Sequence, residues 1–365
     1  MGTIETRKMN FNPGPAALPL EVLEEARDSL VSHGKLGMSI MEASHRSPAV
    51  EELFRETERR LLSLAEAPAG YRVLFMGGGA SAQFALVPMN LLPRGGFAAY
   101  ALTGSFAEKA YEEAARVGRA EIAFSSKESG WRRAPVPEEV RSTPGAAYLH
   151  VTVNNTIEGS QWNGLPVTGG APLVGDVTSC LLGRRLDLSK FSLVYAGAQK
   201  NLGPAGVTAV IAKESILADA GEGLPLIFRY ATYLKNDSLY NTPPVHSVYM
   251  MNLVLRWTER QGGVAALETA NAAKAKRLYD AIDRSGGFYE GAVEEAARSM
   301  MNVIWRIADR KLENRFLAMA EENGFEGLAG HRSVGGMRAS LYNAVSPESC
   351  GALAEFMNEF ARLHG

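Results

Sequence analysis

Short apolar runs alternate with amphipathic stretches between residues 72 and 212. Six of the runs have the length and composition of buried strands: RVLFM (72–76), FAAYA (97–101), AAYLHV (146–151), PLVGD (ending at Asp176), SLVYAG (192–197) and GVTAVIA (206–212). Helical patterns lie between them, for example from Ser81 to Leu92 and from Ser105 to Val117. Because parallel strands are joined by helices that cross the sheet, this alternation predicts an α/β fold with a mostly parallel sheet covered on both faces.

Two further helices are predicted before the first of these strands. Pro19 begins a helical pattern that continues to Leu30. A second pattern runs from Ser47 to about Ala65, with Pro48 in its first turn, where proline is well tolerated.

The rhythm changes after Pro244. A long helical region from Val245 to Ser285 is interrupted at Gly262-Gly263. It is followed by a strand (300–308), a helix (310–323), a second strand (336–344) and a terminal helix (346–363). This pattern predicts a smaller α+β domain. We therefore divide the chain into a polar tail (1–8), a large domain (9–260) and a small C-terminal domain (261–365).

Composition and charge exclude several classes of function. The 365 residues are 46% hydrophobic and 21% charged, and the net charge of −2 does not indicate a polyanion such as a nucleic acid as partner. No stretch reaches the roughly 18 apolar residues that a membrane span requires. Cys180 and Cys350 lie far apart, so we expect no metal site and no disulfide. A reducing cytoplasm is the expected setting.

The segment MGGGASAQ (76–83) follows a predicted strand and begins a predicted helix. Glycines permit close approach of the backbone to an anion, and a helix N-terminus offers free N–H groups and the positive end of a dipole. Ser81 adds a hydroxyl. The spacing matches neither common nucleotide-binding glycine pattern, so the segment indicates either an anion site or an ordinary turn between strand and helix.

Lys200 lies just after an apolar strand, in VYAGAQKNLGPAG (194–206). Most lysines are solvated surface charges, but this one has small residues on both sides in the sequence. A lysine packed at a strand end loses solvation, which lowers its pKa. Its amine then becomes a usable nucleophile toward a carbonyl cofactor.

Asp176 ends the strand before the one that leads to Lys200. Both residues would therefore lie at the carboxyl edge of one sheet, where open α/β sheets bind ligands. Asp176 either caps a turn or faces the pyridine nitrogen of pyridoxal 5′-phosphate (PLP). In the second role its carboxylate keeps the nitrogen protonated, so that the ring accepts electrons.

Several longer segments resemble the phosphoserine aminotransferase family, which belongs to the class V aminotransferases of PLP fold type I. The segments are, in order, NFNPGPAALP (10–19), MEASHRSP (41–48), GGGASAQF (77–84), AGAQKNLGPAG (196–206), NTPP (241–244) and GHRSVGGMRASLYNA (330–344). The resemblance runs from about residue 9 to the C-terminus. It implies a PLP-dependent aminotransferase with a seven-stranded central sheet, and an N-terminal segment that packs near the small domain.

The resemblance also implies roles for residues around the cofactor. Lys200 would form a Schiff base with PLP, and Asp176 would pair with the pyridinium nitrogen. The other implied cofactor contacts are Ala80, Ser81, Phe106, Thr156 and Gln199 from the same chain, with Asn241 and Thr242 reaching the PLP phosphate in the neighbouring subunit. The active unit would therefore be a homodimer.

Two positions depart from the family's pattern. Phe106 stands where many members have a tryptophan stacked on the cofactor ring, and a phenyl ring stacks with less area. Ser81 stands where an arginine is frequent, so one phosphate contact is missing or replaced.

A substrate with two anionic ends fits the arginines of the matching segments, because guanidinium groups bind carboxylate and phosphate bidentately. By resemblance, Arg338 binds the α-carboxylate of the substrate. Two His–Arg pairs would surround the substrate phosphate, some of them from the partner subunit: His45 with Arg46, and His331 with Arg332.

The implied reaction transfers the amino group of L-glutamate to 3-phosphooxypyruvate and gives O-phospho-L-serine and 2-oxoglutarate. Lys200 would move the α-proton as general base and then acid. A related substrate is 4-phosphohydroxy-L-threonine, on the pyridoxine route. Three alternatives stay open: a serine or alanine–glyoxylate aminotransferase of class V, which needs no second anion site; a non-catalytic dimeric scaffold; and a nucleotide-binding protein.

Overall fold

The computed structural model describes residues 7–140 and 144–365 of the chain. Within these ranges there are ten α-helices: α1 (Leu20–Asp28), α2 (Pro48–Leu64), α3 (Gly79–Leu91), α4 (Ser105–Val117), α5 (Glu214–Leu217), α6 (Tyr230–Lys235), α7 (Val245–Arg260), α8 (Gly263–Asp283), α9 (Glu313–Glu322) and α10 (Pro347–His364). Every helix predicted from the sequence is present, and α4 has the predicted bounds. None of the helices in the described part of the chain is long and apolar enough to cross a lipid bilayer.

The described ranges also contain fourteen β-strands: β1 (Met9–Asn10), β2 (Tyr71–Met76), β3 (Phe97–Leu102), β4 (Arg119–Ser125), β5 (Leu149–Thr152), β6 (Asn154–Asn155), β7 (Ser160–Gln161), β8 (Leu173–Asp176), β9 (Leu193–Gly197), β10 (Thr208–Lys213), β11 (Tyr289–Gly291), β12 (Asn302–Ile307), β13 (Phe325–Glu326) and β14 (Met337–Ser340). Seven of them form the central sheet, in the order β2-β10-β9-β8-β5-β3-β4. Only β10 runs antiparallel to its neighbours in this sheet. The predicted α/β fold with a mostly parallel seven-stranded sheet is confirmed.

The six predicted central strands are all present, and β4 is the strand that no apolar run predicts. It lies at the edge of the sheet, and its sequence RAEIAFS mixes charged with apolar residues along a partly exposed strand. The ladder of β5 begins at Leu149, later than predicted. Before it, Ala147 already donates its N–H to the Phe97 carbonyl at 2.8 Å, so the chain runs beside β3 before regular pairing begins.

Local chemistry explains where two of the helices begin. The Ser47 side chain accepts a hydrogen bond from the Val50 N–H at the start of α2, and Pro48 occupies the first helical position. Gly262, between α7 and α8, has a φ of 89°. This left-handed conformation suits glycine, and it interrupts the long helical region where the sequence predicts a break.

Apolar side chains cover both faces of the central sheet. One core contains Phe54 of α2 and Leu255 of α7, and the opposite core contains Phe84 of α3 and Ala110 of α4. A third core lies around a separate antiparallel sheet of β11, β12 and β14, with Trp305 at its centre.

Helix α8 contributes side chains to two of these cores. Its first half places Val264 in the core that α7 shares, and its second half places Leu278 and Ile282 in the third core. The division of the chain at residue 260 stays a prediction, because α8 packs into cores on both sides of it. Of the predicted polar tail, residues 1–6 lie outside the described residues.

The N-terminal segment spans from the third core to the end of the central sheet. Strand β1 pairs in parallel with β13, and Phe11 is buried in the third core. Further along, Ala16 donates its N–H to the carbonyl of Gln199 at 2.9 Å. The segment therefore contacts the residue next to Lys200.

Helix α3 starts on a glycine that tolerates no side chain. Gly78 has a φ of +88°, and a Cβ atom there would lie 2.6 Å from Cβ of Ala82. We predict that Gly78→Ala lowers the free energy of unfolding by about 1–3 kcal/mol, because the new side chain meets both backbone strain and a clash. Chemical denaturation measures the change.

Gly77→Ala is the matched control. Gly77 has an ordinary φ, and a Cβ added at that position would have no atom within 4 Å. Its stability should stay within about 0.5 kcal/mol of the parent protein, as for other surface substitutions. Equal stability of the two variants would contradict the conformational requirement at Gly78.

Candidate active site

A cavity of about 280 Å³ lies at the carboxyl ends of the central strands. Its walls come from the N-terminal segment, from loops that follow the central strands and from the separate sheet of β11, β12 and β14. Nine of the residues predicted from the sequence line this cavity: Ala80, Ser81, Phe106, Thr156, Asp176, Gln199, Lys200, His331 and Arg338. The structure therefore brings together most of the predicted site within a single chain.

Lys200 follows β9, and only 8% of its surface is exposed. Its Nζ donates a hydrogen bond to the Thr156 hydroxyl at 2.6 Å and lies 5.9 Å from the centre of the Phe106 ring. Burial lowers the pKa of Lys200 to about 8, since the cost of desolvating the ammonium form exceeds the stabilisation that the Asp176 charge provides. The amine is thus available much closer to neutral pH than that of a solvated lysine.

Asp176 is the last residue of β8 and is buried. Its Oδ1 accepts a hydrogen bond from the Thr178 N–H at 2.9 Å. Burial raises the pKa of Asp176, while the hydrogen bonds from Thr178 and the charge of Lys200 oppose this shift. Asp176 therefore caps a turn and also lines the cavity. Its predicted role toward the pyridine nitrogen of PLP stays a prediction.

Asp176 and Lys200 share the cavity without forming an ion pair with each other, among the contacts of the described residues. Parallel pairing of β8 with β9 sets Asp176 opposite Tyr195, two residues before the end of β9. The two groups are therefore held on neighbouring strands with open volume beside them. A ligand that carries both a carbonyl and a basic nitrogen can occupy that volume.

The glycine-rich turn forms one end of the cavity. Gly79, Ala80 and Ser81 make the first turn of α3, where backbone N–H groups have no acceptor within the helix. These groups and the Ser81 hydroxyl form a cradle for an anion at the positive end of the helix dipole. The structure favours the anion site over the ordinary turn, because this first turn lines the same cavity as Lys200.

Arg338 lies on β14 and approaches the cavity from the opposite wall. It is 7% exposed, and its Nη1 lies 3.5 Å from the carbonyl of Thr156. Its Nε has no partner among the described residues. Burial lowers the pKa of Arg338, and the negative charge of Glu158 opposes this shift. His331 reaches the same wall and is hydrogen-bonded to the Ser333 hydroxyl at 2.7 Å.

Five predicted residues lie away from this cavity within the single chain: His45, Arg46, Asn241, Thr242 and Arg332. Four of them come from two segments that meet each other. The Thr242 hydroxyl lies 3.5 Å from Nδ1 of His45 at the protein surface. The predicted roles of all five residues in a cofactor or substrate site stay predictions.

Reasoning from sequence missed Gly14 as a site residue. Gly14 lines the cavity with a φ of +135°, and a Cβ there would lie 3.4 Å from Cγ of Lys200. The NPGP run predicts an ordered loop, but nothing local in it indicates contact with a lysine so distant in the sequence. Asn154, Thr178 and Ser179 line the cavity as well and were also missed.

The residues present fit PLP as a cofactor. Lys200 offers a desolvated amine for the aldehyde, and Asp176 offers a buried carboxylate for the ring nitrogen. The first turn of α3 offers a cradle for the phosphate, and Phe106 offers an aromatic face. Each chemical group of the cofactor has a matching group in one cavity.

Comparisons with known proteins agree with this geometry. Residues 8–353 match the family model described as aminotransferase class V. A phosphoserine aminotransferase of Niallia circulans is 53% identical over 98% of this chain and 99% of its own length. The crystal structure of phosphoserine aminotransferase from Bacillus circulans subsp. alkalophilus superposes with a TM-score of 0.97 at 53% identity, covering 98% of this chain and 99% of that one.

A more distant relative also carries the predicted cofactor. The PLP-bound phosphoserine aminotransferase of Trichomonas vaginalis is 33% identical, with a TM-score of 0.91 over 96% of this chain and 99% of that chain. The family match covers almost all described residues, including every part of the cavity. The chain belongs to the class V aminotransferase family.

Proposed function

We propose that this chain is a PLP-dependent aminotransferase that converts L-glutamate and 3-phosphooxypyruvate to 2-oxoglutarate and O-phospho-L-serine. The observation that carries the proposal is the cavity itself, in which a buried amine, a buried carboxylate and a buried guanidinium converge. The relatives named phosphoserine aminotransferase support the choice of substrate, since they share 53% sequence identity over 98% of this chain.

PLP supplies an aldehyde that captures amino groups and a ring that accepts electrons from the substrate's α-carbon. The protein would hold this group through residues already in place. Lys200 would hold the aldehyde carbon, Asp176 the ring nitrogen, and Ala80 with Ser81 the phosphate. Gln199 would lie beside the phosphate, and Thr156 would contact the 3-oxygen side of the ring.

Lys200 is also the group that moves the substrate's α-proton. Its pKa of about 8 places the amine and ammonium forms within reach of each other near neutral pH, which suits a residue that accepts and then returns a proton. The Thr156 hydroxyl, at 2.6 Å from Nζ, orients the amine.

Arg338 would bind the α-carboxylate of the substrate. The guanidinium is buried, its Nε is unpartnered among the described residues, and its pKa is lowered. An arriving carboxylate supplies the missing negative charge and accepts two parallel hydrogen bonds. This arrangement selects amino acids and keto acids over neutral amines and aldehydes.

The second anionic end of the substrate would meet His331 and Arg332, together with His45 and Arg46 of a partner subunit. We therefore propose a homodimer with shared active sites, in which Asn241 and Thr242 contact the partner's cofactor phosphate. Large apolar side chains are exposed along the segment that leads to His45, namely Leu30, Val31, Met38 and Met41. A second copy of the chain would remove this surface from water.

Related activities share most of these contacts. 4-Phosphohydroxy-L-threonine carries the same two anionic ends and is a second proposed substrate, on the pyridoxine route. A class V enzyme that acts on serine or alanine with glyoxylate would use the same cavity but no second anion site.

We also propose a cytoplasmic setting, since Cys180 and Cys350 are both free and buried.

We predict that O-phospho-L-serine is a far better amino donor to 2-oxoglutarate than L-serine. Its kcat/KM should be higher by about a thousandfold or more, because serine leaves the phosphate-binding cations unpaired. Steady-state kinetics with both donors measures the ratio.

Lys200→Ala should lose transamination, whereas Lys190→Ala, which removes an exposed lysine, should retain it.

The outcomes separate the alternatives. Similar kcat/KM values for the two donors would favour the serine or alanine–glyoxylate type of enzyme. Undiminished turnover by Lys200→Ala would remove Lys200 from its proposed role.

We predict that two inactive variants restore activity when they share a dimer. A mixed dimer of Lys200→Ala with Arg46→Ala should recover about half the activity of the parent enzyme, because one of its two sites contains no substitution. Co-expression with two different affinity tags isolates this mixed dimer.

The matched control pairs Lys200→Ala with Arg338→Ala. Both of these residues line the cavity of the same chain, so each site of that mixed dimer carries one defect and stays inactive. An inactive mixed dimer of Lys200→Ala with Arg46→Ala would show that Arg46 does not act across the subunit boundary.

A further inference from the structure

A second buried lysine lies outside the cavity. Lys274 is on α8 and is 2% exposed. Its Nζ donates hydrogen bonds to three backbone carbonyls, those of Leu341 (3.1 Å), Tyr342 (3.0 Å) and Val345 (2.9 Å). These three acceptors match the three N–H groups of an ammonium ion. Among the described residues, no carboxylate pairs with it.

Packing alone does not account for a lysine at this position. A buried ammonium ion without a counter-ion costs free energy that an apolar side chain of similar size would not. Burial lowers the pKa of Lys274 to about 8, which reflects this cost. What the ammonium group does, and an apolar group would not, is bind three carbonyls of one short segment simultaneously.

That segment, residues 341–345, directly follows the strand that carries Arg338. We call it the 341–345 turn. Strand β14 ends at Ser340, and α10 begins at Pro347. The turn is therefore the connection through which the Arg338 strand is anchored at its C-terminal end. Lys274 holds it from the side of α8.

The 341–345 turn also contacts two loops, the one that carries Lys200 and the one that follows Asp176. Asn343 donates its backbone N–H to Oδ1 of Asn201, the neighbour of Lys200, at 3.0 Å. The Asn343 side chain donates to the carbonyl of Leu182 at 2.9 Å, in the loop after Asp176. Tyr342 donates its hydroxyl to the carbonyl of Pro13 at 3.1 Å, next to Gly14. Three walls of the cavity thus meet at one turn.

We propose that Lys274 is a positioning residue for the reaction, which sets the place of Arg338 relative to Lys200 by clamping the 341–345 turn. It touches neither cofactor nor substrate and acts through the turn. This inference rests on the proposed function, because it assumes that Arg338 binds substrate while Lys200 acts on it.

The test compares Lys274→Met with Lys276→Met in the holoenzyme. Lys276 lies on the same helix, pairs with Asp280 and is largely exposed, so it is a matched control. Lys274→Met should raise the KM for O-phospho-L-serine by about tenfold while kcat falls less than about threefold, because binding by a displaced Arg338 suffers more than the chemistry at Lys200. Lys276→Met should leave both constants unchanged.

A second readout does not depend on substrate or turnover. Hydrogen–deuterium exchange should increase in Lys274→Met not only in the 341–345 turn but also in residues 199–203 around Lys200. An increase confined to α8 and the turn, with unchanged KM, would overturn the proposal and leave Lys274 a residue of local stability only. If the wild-type enzyme did not act on O-phospho-L-serine, the proposed function would fail while the exchange pattern still decided the part played by Lys274.

Lys274→Gln covers the case in which the methionine variant does not fold. Its amide nitrogen can donate two of the three hydrogen bonds, so a smaller rise in KM is expected. In this variant, raised exchange in the 341–345 turn together with a wild-type KM and wild-type exchange around Lys200 would likewise overturn the proposal.

Discussion

The desolvation of one amine is the constraint on which the site depends. A lysine in water is protonated at neutral pH and reacts slowly with a carbonyl. Burial at the end of β9 lowers the pKa of Lys200 to about 8. Among the described residues the amine forms no direct ion pair with Asp176, which would stabilise its charged form. The Thr156 hydroxyl provides a neutral hydrogen-bond partner instead. The Lys200 amine and the Asp176 carboxylate therefore stay apart, and both can contact the same ligand.

The fold provides this separation through the arrangement of its strands. Parallel strands β8 and β9 deliver Asp176 and the Lys200 loop to the same edge of the sheet. The opposite wall comes from β14 in a different core, which brings Arg338 to the Thr156 carbonyl. The N-terminal segment and the 341–345 turn join the two walls through Ala16, Tyr342 and Asn343. Arg338 and Lys200 thus lie on separate layers of the fold, and a few hydrogen bonds hold these layers in register.

The sequence predicted those parts whose signal is local. The buried strands are continuous apolar runs, so six of the seven central strands could be found, whereas the edge strand β4 mixes charged and apolar residues and could not. Lys200 and Asp176 each follow such a run, and the family resemblance supplied Arg338. The contact of Gly14 with Lys200 could not be predicted from the sequence, because it exists only after the N-terminal segment packs across the sheet. The predicted roles of His45 and Arg46 involve a proposed second subunit, so neither the sequence pattern nor one folded chain tests them.

In the proposed function the Lys200 amine, and no other, captures the aldehyde of PLP. Borohydride reduction of the PLP-loaded enzyme, followed by peptide mass spectrometry, tests this most directly, because reduction makes the linkage to the lysine permanent. We expect a yellow protein and a single phosphopyridoxyl-labelled peptide that contains Lys200. A colourless protein, or a label on Lys274 or on a surface lysine with Lys200 unmodified, would contradict it.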